Sequence, residues 1–395
     1  MLHTGIERMA DWHKRVREIA KQLDRTNIRI ISAMWKLGPR NLLEVSRRTG
    51  IPFTSVYHRV AKLEEKSKRL VYLTPQLSKL GMMRVVVLVT ASPGSEERVT
   101  AALKIPNLWR SINPCEGTFT HLSIQAIPVK FLRQFKTYVR RLSEIGLIRQ
   151  SRVILTGEYI PNFPNFRYYD AASNKWTFQW ERWLAALKKK PSRTIDDPEG
   201  YDMLVSKKDL LIVKELEKNA RLSFADLAPL LGISLQGVKY HYDKKLIANG
   251  IVKYFTYDIL PYPEEVSAYH EILLEFTSNL AMKRFFHLID DLFFVLGVAK
   301  VLNRNALLVR TFTLQTQLSN MFAFFSRMAR KGALESYSAV RQDFNGRERQ
   351  TVSYELFDDK MGWQFDLKKC LYELSRSVRA AQVHQKHMVP RAGVS

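Results

Sequence analysis

The chain is written twice. From Gly50 it reads GIPFTSVYHRV and from Gly232 it reads GISLQGVKYHY, so glycine, isoleucine and the first valine coincide at an offset of 182 residues. Leu70-Val71-Tyr72 faces Val252-Lys253-Tyr254 at the same offset, and Phe178-Gln179-Trp180 faces Trp363-Gln364-Phe365 at 185. An offset that drifts so little over this distance means two copies of one architecture, and it rules out most single-domain folds at once. A length of 395 residues suits two to four compact units.

Each copy opens with three helical patterns. In the first copy Asn27 to Leu37 places Ile28, Ile31, Met34 and Trp35 on one stripe, and Gly38-Pro39 ends it. Asn41 caps a short helix with Leu42 and Val45. After a turn at Gly50, a third helix from Phe53 to Glu65 turns Val56, Val60 and Leu63 inward. In the second copy the helices span Lys208 to Lys218, then one capped by Ser223, then one capped by Ser234 with Val238, Tyr242 and Leu246 inward. Leu70–Leu73 and Gly250–Val252 are expected to enter wings.

A longer stretch follows each trihelical unit. The first copy predicts a strand at Met83–Thr90, a helix at Ser95–Leu103, a hairpin across Trp109–Ile127, a helix at Val129–Ile145 and a strand at Arg152–Tyr159. The second predicts a strand at Tyr269–Phe276, a helix at Leu280–Leu288, a hairpin across Phe293–Leu314, a helix at Gln317–Lys331 and a closing strand at Gln350–Phe357. The order βαββαβ is the split ferredoxin-like arrangement. The expected fold class is therefore α+β, two winged helix-turn-helix domains each followed by a βαββαβ ferredoxin-like domain. The boundaries are an N-terminal helix at 1–24, winged domains at 25–80 and 206–262, and ferredoxin-like domains at 81–160 and 263–358. An extension and linker fills 161–205, and an extension with a basic tail fills 359–395. The tryptophans of WTFQW read as packing residues, and the tail from Ser375 as a fraying end.

Composition narrows the partners. The formal charge is +24, which attracts polyanions, nucleic acid first among them. No run approaches the roughly 18 apolar residues of a spanning helix, so no membrane partner is expected. The N-terminus is charged throughout and is not a secretory signal. Cys115 and Cys370 are the only cysteines, too few for a Cys-rich zinc site and suited to a reducing compartment. A cytoplasmic, chromosome-associated protein is expected.

The stretch NARLSFADLAPLLGIS (Asn219–Ser234), followed by a Val-bearing helix and GIV, resembles the helix-turn-helix of the leucine-responsive/AsnC regulators. Lys79-Leu80-Gly81 before an apolar strand is similar to that family's entry into its regulatory domain. The resemblance implies a transcription factor whose α/β domain oligomerises and, in some members, takes an amino acid or similar small-molecule effector near a Gly-x-Tyr-Asp turn. This chain has Gly117-Thr118-Phe119-Thr120 and Asn303-Arg304-Asn305-Ala306 there, so the carboxylate is missing from both copies. Family members carry one unit per chain and pair two chains; here the copies are expected to pair within one chain as a pseudo-dimer.

The expected partner is double-stranded DNA, read in the major groove by the third helix of each copy. The outward candidates are Thr54, Ser55, Tyr57, His58, Arg59 and Lys62 in copy one, and Ser234, Gln236, Lys239, Tyr240, His241 and Lys244 in copy two. Arg or Lys can donate to guanine and Gln can pair with adenine. Arg40, Arg47 and Arg48 are expected to clamp phosphates. Because the two helices differ, an asymmetric operator is expected. Gly237 stands mid-helix, where glycine costs roughly 1 kcal/mol against alanine.

Two other readings compete. The same two-module fold resembles the siroheme decarboxylases, with His121, His270 and His287 as candidate histidines. A non-specific nucleic-acid or chromatin binder could use the same basic surface. HExxH, P-loop and GxSxG motifs are missing, so no catalytic residue, metal or cofactor is expected.

Overall fold

The computed structural model describes residues 7–388 except Lys68, Asn174 and Phe344. After helix α1 (Met9–Ala20), copy one forms α2 (Arg25–Leu37), α3 (Leu42–Thr49) and α4 (Phe53–Ser67). The Asp24 side chain caps α2 by accepting from the Asn27 amide, and Asn41 caps α3 by accepting from the Glu44 amide. Gly50 ends α3 in the left-handed region (φ 67°), a conformation glycine adopts without steric cost. Ile30, Ile31, Met34, Val45, Val56, Val60 and Leu63 close one core.

Strand β1 (Val71–Thr74) leads into β2 (Met82–Ala91), α5 (Glu96–Lys104), β3 (Trp109–Glu116), β4 (His121–Pro128), α6 (Leu132–Glu144) and β5 (Ile148–Pro161). Helix α7 (Trp180–Ala186) ends the first extension. Copy two repeats the plan with α8 (Lys207–Lys218), α9 (Phe224–Leu231), α10 (Leu235–Tyr240) and β6 (Tyr254–Tyr257). Then come β7 (Ser267–Phe276), α11 (Asn279–Leu288), β8 (Val295–Val301), β9 (Ala306–Leu314), α12 (Leu318–Arg330) and β10 (Leu334–Gln342). Helix α13 (Leu367–Met388) continues through the stretch expected to fray; residues 389–395 lie outside the described residues.

Within copy one the strand order is β3-β4-β2-β5, and within copy two it is β8-β9-β7-β10, the split βαββαβ order. The outer strands then pair between copies, β5 with β8 and β3 with β10. Eight antiparallel strands thus close on themselves, and the barrel has no free edge. Val86, Leu88, Leu122, Ile124, Leu273 and Leu308 fill part of its interior.

The pairing obeys a pseudo-twofold axis. β1 pairs antiparallel with β6, and Leu73 stands opposite Phe255, its own counterpart at the repeat offset. Three side-chain hydrogen bonds join residues 182 apart: Thr74 with Thr256 (2.8 Å), Arg40 to the Leu222 carbonyl (2.6 Å) and Arg221 to the Pro39 carbonyl (2.5 Å). A residue bonded to its own counterpart sits on or beside such an axis.

Three expectations need correction. The wings are not hairpins of each copy, because the strand at 70–73 and the one following Gly250–Val252 pair with each other across the axis. The closing strand of copy two is Leu334–Gln342, not Gln350–Phe357, which holds a short 3₁₀ turn. Its alternating Ser, Tyr, Glu and Arg leave one side wet, so it lacks the apolar run of its counterpart. The basic tail is helical to Met388, where α13 packs on α6 through Cys370 and Leu374.

The extensions cross over. Trp176, Phe178, Trp180 and Trp183 pack against Phe293 and Phe294 of copy two, with Trp176 stacked on Phe293 at 4.5 Å. Trp363 is buried in the copy-one cluster and donates its indole N–H to the Leu80 carbonyl at 2.7 Å. Each copy's tail therefore covers the other copy, and the tryptophans pack.

Candidate functional site

The third helices present most of the expected faces to solvent. Thr54, Ser55, Tyr57, His58 and Lys62 are exposed on α4, and Arg47 and Arg48 are exposed on α3. In copy two Gln236, Lys239, Tyr240 and Lys244 are exposed. Ser234 is occupied as a cap, accepting from the Gly237 amide at 3.1 Å. Beyond Tyr240 the chain widens into a π-helical turn, His241–Ile247, whose Tyr242 and Leu246 are buried.

Three candidates are drawn inward instead. Arg40 lies over the rings of Phe224 (4.7 Å) and Tyr242 (5.2 Å), wedged between the two copies, where burial lowers its pKa. It glues helix-turn-helix units together and is not a phosphate clamp. Arg59 is tied to Asp24 (2.8 Å) and Asn27 (3.0 Å), which anchors α4 to the start of α2. His241 shares a hydrogen bond with Asp209 (2.7 Å), the carboxylate that also completes the Ser206 capping box.

The polar chemistry gathers elsewhere, in a cavity where the barrel mouth meets the β1–β6 ribbon. Its empty space is about 1040 Å³, including open solvent at the mouth. Five arginines line it: Arg84 on β2, Arg310 on β9, Arg110 on β3, and Arg347 and Arg349 beyond β10. Tyr72, Tyr159, Tyr257 and Tyr269 supply flat walls. Guanidinium groups stack on these rings, Arg349 over Tyr72 at 4.2 Å and Arg310 over Tyr159 at 5.2 Å.

Strand alternation explains the placement. Arg84, Val86 and Leu88 share the inner face of β2, and Leu308 and Arg310 share that of β9. Glu271, next to Arg310 on β7, accepts from its Nε at 2.9 Å. Arg84 reaches the same carboxylate only at 3.9 Å and donates instead to Thr156 at 3.1 Å. One buried carboxylate thus serves two buried guanidiniums. Burial, followed by the pull of Glu271 and the push of Arg310, leaves Arg84 lowered to about 10. Arg310 is raised, because Glu271 and the phenols of Tyr269 and Tyr159 overcome its burial. We read both as charged, since arginine holds its proton in proteins. Arg84 is the undercompensated member.

Orphaned donors follow the same geometry. Arg84 Nη2, Arg310 Nη2, Arg110 Nη1 and Arg347 Nε are buried without a hydrogen-bond partner. Leaving such groups unmet costs about 1–3 kcal/mol each, more when charged. Arg110 is ion-paired with Glu217, and Arg347 donates to the Tyr269 hydroxyl at 2.9 Å. Glu158 also lines the cavity but is held by the amides of Leu77 (2.9 Å) and Ser78 (2.7 Å). Burial raises its pKa against those bonds. An anion with several acidic oxygens matches this donor set.

The candidate histidines do not line the cavity. His121 bonds Thr100 and Thr120 on the outer side of β4. His270 follows Tyr269 on β7, so alternation turns it toward α12 and the Phe322 ring. His287 contacts Ser192 of the linker at 3.1 Å. None of the cavity arginines was among the candidates from sequence. The signal was present: a single charge inside an apolar strand, in MMRVVVLV and again in ALLVRTFTL. Among the described residues no cluster of His, Cys, Asp and Glu could hold a metal ion, and no helix is long and apolar enough to cross a membrane.

A family model for winged helix-turn-helix DNA-binding domains matches residues 205–253. A search of curated protein sequences returns no match. Among solved structures, siroheme decarboxylase NirDL is similar over 93% of this chain and 99% of its own, at 12% identity and TM-score 0.47. AsnC of E. coli is similar over 34% of this chain and 91% of its own, at 13% identity and TM-score 0.29. A transcriptional regulator of Neisseria meningitidis in complex with L-Met is similar over 34% and 88%, at 18% identity and TM-score 0.28. The chain is an α+β tandem of two winged helix-turn-helix and ferredoxin-like units.

Proposed function

We propose that the chain binds a flat polycarboxylate in the arginine-lined cavity and removes carboxylate from it as CO₂, acting on a tetrapyrrole of the siroheme class. The observation that carries this reading is the buried pair Arg84 and Arg310 sharing one carboxylate, Glu271, with two donors unmet. Guanidinium forks and tyrosine rings suit an aromatic plane edged with acids. In such a reaction the bond between the carboxylate carbon and the side-chain carbon breaks, and its electron pair stays on the side-chain carbon. A proton must then reach that carbon. Glu158 is the wall carboxyl with raised proton affinity and no guanidinium bond, so it is the residue we assign to deliver it. The arginines orient the acids.

Incubating the full chain with siroheme without oxygen tests this. The expected result is a change in the visible spectrum and products lighter by whole CO₂ units in mass spectrometry. Arg84→Leu and Arg310→Leu should each lower conversion at least about 100-fold, near the effect of removing one preorganised charge donor. Unchanged siroheme would refute the reading.

A second reading, sequence-specific DNA binding, is favoured by the exposed rows on α4 and α10. If each unit neutralises about three to five phosphates, log affinity falls with log salt at a slope of roughly −5 to −9. Lys62→Ala and Lys239→Ala should then weaken different half-sites by about 1–3 kcal/mol. A slope near zero removes DNA as the ligand.

A further inference from the structure

Copy two offers a control on copy one, because α6 and α12 are twin helices of 13 residues at an offset of 186. Arg133, Lys136 and Arg140 on α6 stand where α12 has Ser319, Phe322 and Ser326. All three are exposed. Arg133 and Lys136 make no ion pair among the described residues, and Arg140 shares Glu144 with Arg141 (3.4 and 3.0 Å). Lys136 and Arg140 are also like charges one helical turn apart, which repel.

Helix α13 continues this face. The Phe131 and Phe365 rings meet at 5.8 Å where the two helices begin, and Tyr138 lies near Cys370 and Glu373, so α13 runs beside α6 in the same direction. Lys368, Lys369 and Arg376 are exposed on α13 without an ion pair among the described residues, and Tyr372 stands between them. The twin of α13 is α7, which packs on α12 through Trp180 and Phe324 (5.8 Å). There Glu181 pairs with Arg327. Counted from Trp176 and Trp363, which close matching hairpins, Glu181 is the twin of Lys368, and Arg327 is the twin of Arg141. Where copy two has an ion pair, copy one has two cations.

We propose that the α6–α13 face binds the phosphate backbone of duplex DNA without reading its sequence, as a second surface apart from the third helices. As far as Arg376 it sets seven cations against two carboxylates, Glu144 and Glu373. Such a field attracts polyanions, and cations with no acceptor of their own position phosphates while carrying no base information. Leu216 and Val238 of the second helix-turn-helix belong to the same buried cluster as Phe135 and Leu374, so the face is built on that unit's core. A lipid surface matches less well. A helix that adsorbs to lipid sets large apolar side chains beside its cations, whereas here, Tyr372 apart, Gln134, Ser143 and Ser375 share the exposed side.

Fluorescence anisotropy of the full chain on a random-sequence DNA duplex, read at several salt concentrations, tests the proposal. Arg133→Gln, Lys136→Gln and Arg140→Gln together should weaken binding at least about tenfold and flatten the log–log salt slope by about 2–3, the share of three phosphates. A matched change of charge on the twin helix, Ser319→Glu, Asn320→Glu and Ala323→Glu together, should alter neither. All six positions are exposed, so both triples should fold. Equal losses in the two triples would reduce the effect to bulk charge and overturn the proposal. An α6 triple that binds as before, or no saturable binding of the duplex, would also overturn it. Phosphatidylserine vesicles form the second arm: an α6 triple that loses vesicle binding with duplex affinity intact would give the face to membranes instead. If Lys62→Ala with Lys239→Ala leaves duplex affinity unchanged while the α6 triple loses it, the reading by the third helices fails alone and this surface stands.

Discussion

Copy one places Val85, Val86 and Ile124 where copy two places His270, Glu271 and Arg310. The backbone is the same at each position, and the strand partners correspond. At these positions copy one is apolar, whereas copy two carries a buried ion pair and a buried imidazole, which cost stability. Copy one buries polar groups at other positions, Arg84 and His121 among them. The difference teaches that duplication let the two halves diverge position by position, with Arg84 of one half and Arg310 of the other meeting at one carboxylate, Glu271.

The largest effect should come from breaking the charge pair. Arg310→Leu leaves Glu271 buried beside the more distant Arg84 and should destabilise the chain by about 3–5 kcal/mol in denaturant unfolding. Replacing all three charges, Arg310→Leu with Glu271→Val and Arg84→Met, leaves no member of the cluster buried and unpaired and should recover most of that loss. If the triple variant is no more stable than the single one, the two copies do not share one packing scheme.

The imidazole sharpens the comparison next. Burial, reinforced by the Arg341 charge, lowers His270 to about 4 against 6.5 for a free side chain. The unfolded chain therefore binds the extra proton between those values, and stability falls as pH drops from 6.5 to 4. The loss approaches about 3 kcal/mol at the acid end. His270→Val, which installs the Val85 solution, should flatten that part of the pH profile. An unchanged profile would assign the acid sensitivity to other groups.

The smallest effect concerns the reading helices. Gly237 occupies the position of Ser55 in copy one. The nearest atoms to an added Cβ would be those of Ile233 and Ser234 at 3.5 Å, an ordinary contact. Gly237→Ala should raise stability by about 1 kcal/mol. Weaker binding of DNA in the same variant would show that the glycine serves close backbone approach.

Most helices were legible because their stripes and caps are local: Asn41, Ser223 and Ser234 each cap the helix expected of them. The repeat also held the answer to one error, since Ile148 and Leu334 open corresponding strands 186 residues apart, a drift already visible in the sequence. Barrel closure and the β1–β6 ribbon were not legible, because pairing between distant strands leaves no periodic trace in either one. The cavity escaped for a different reason. Arg84 and Arg310 look like strand-surface charges until the closing of the sheet turns that surface inward.

That closure also sets a schedule. β5 ends at Pro161, but its partner β8 begins only at Val295 and the other seam is completed by Gln342. At a ribosomal rate of about 5–20 residues per second, the first half-barrel waits roughly 10–40 s with both edge strands unpaired. During that interval the nascent chain exposes the templates that invite pairing with a neighbouring nascent chain on the same message. A protein that folds as its own dimer must therefore be guarded, while still being made, from dimerising with someone else.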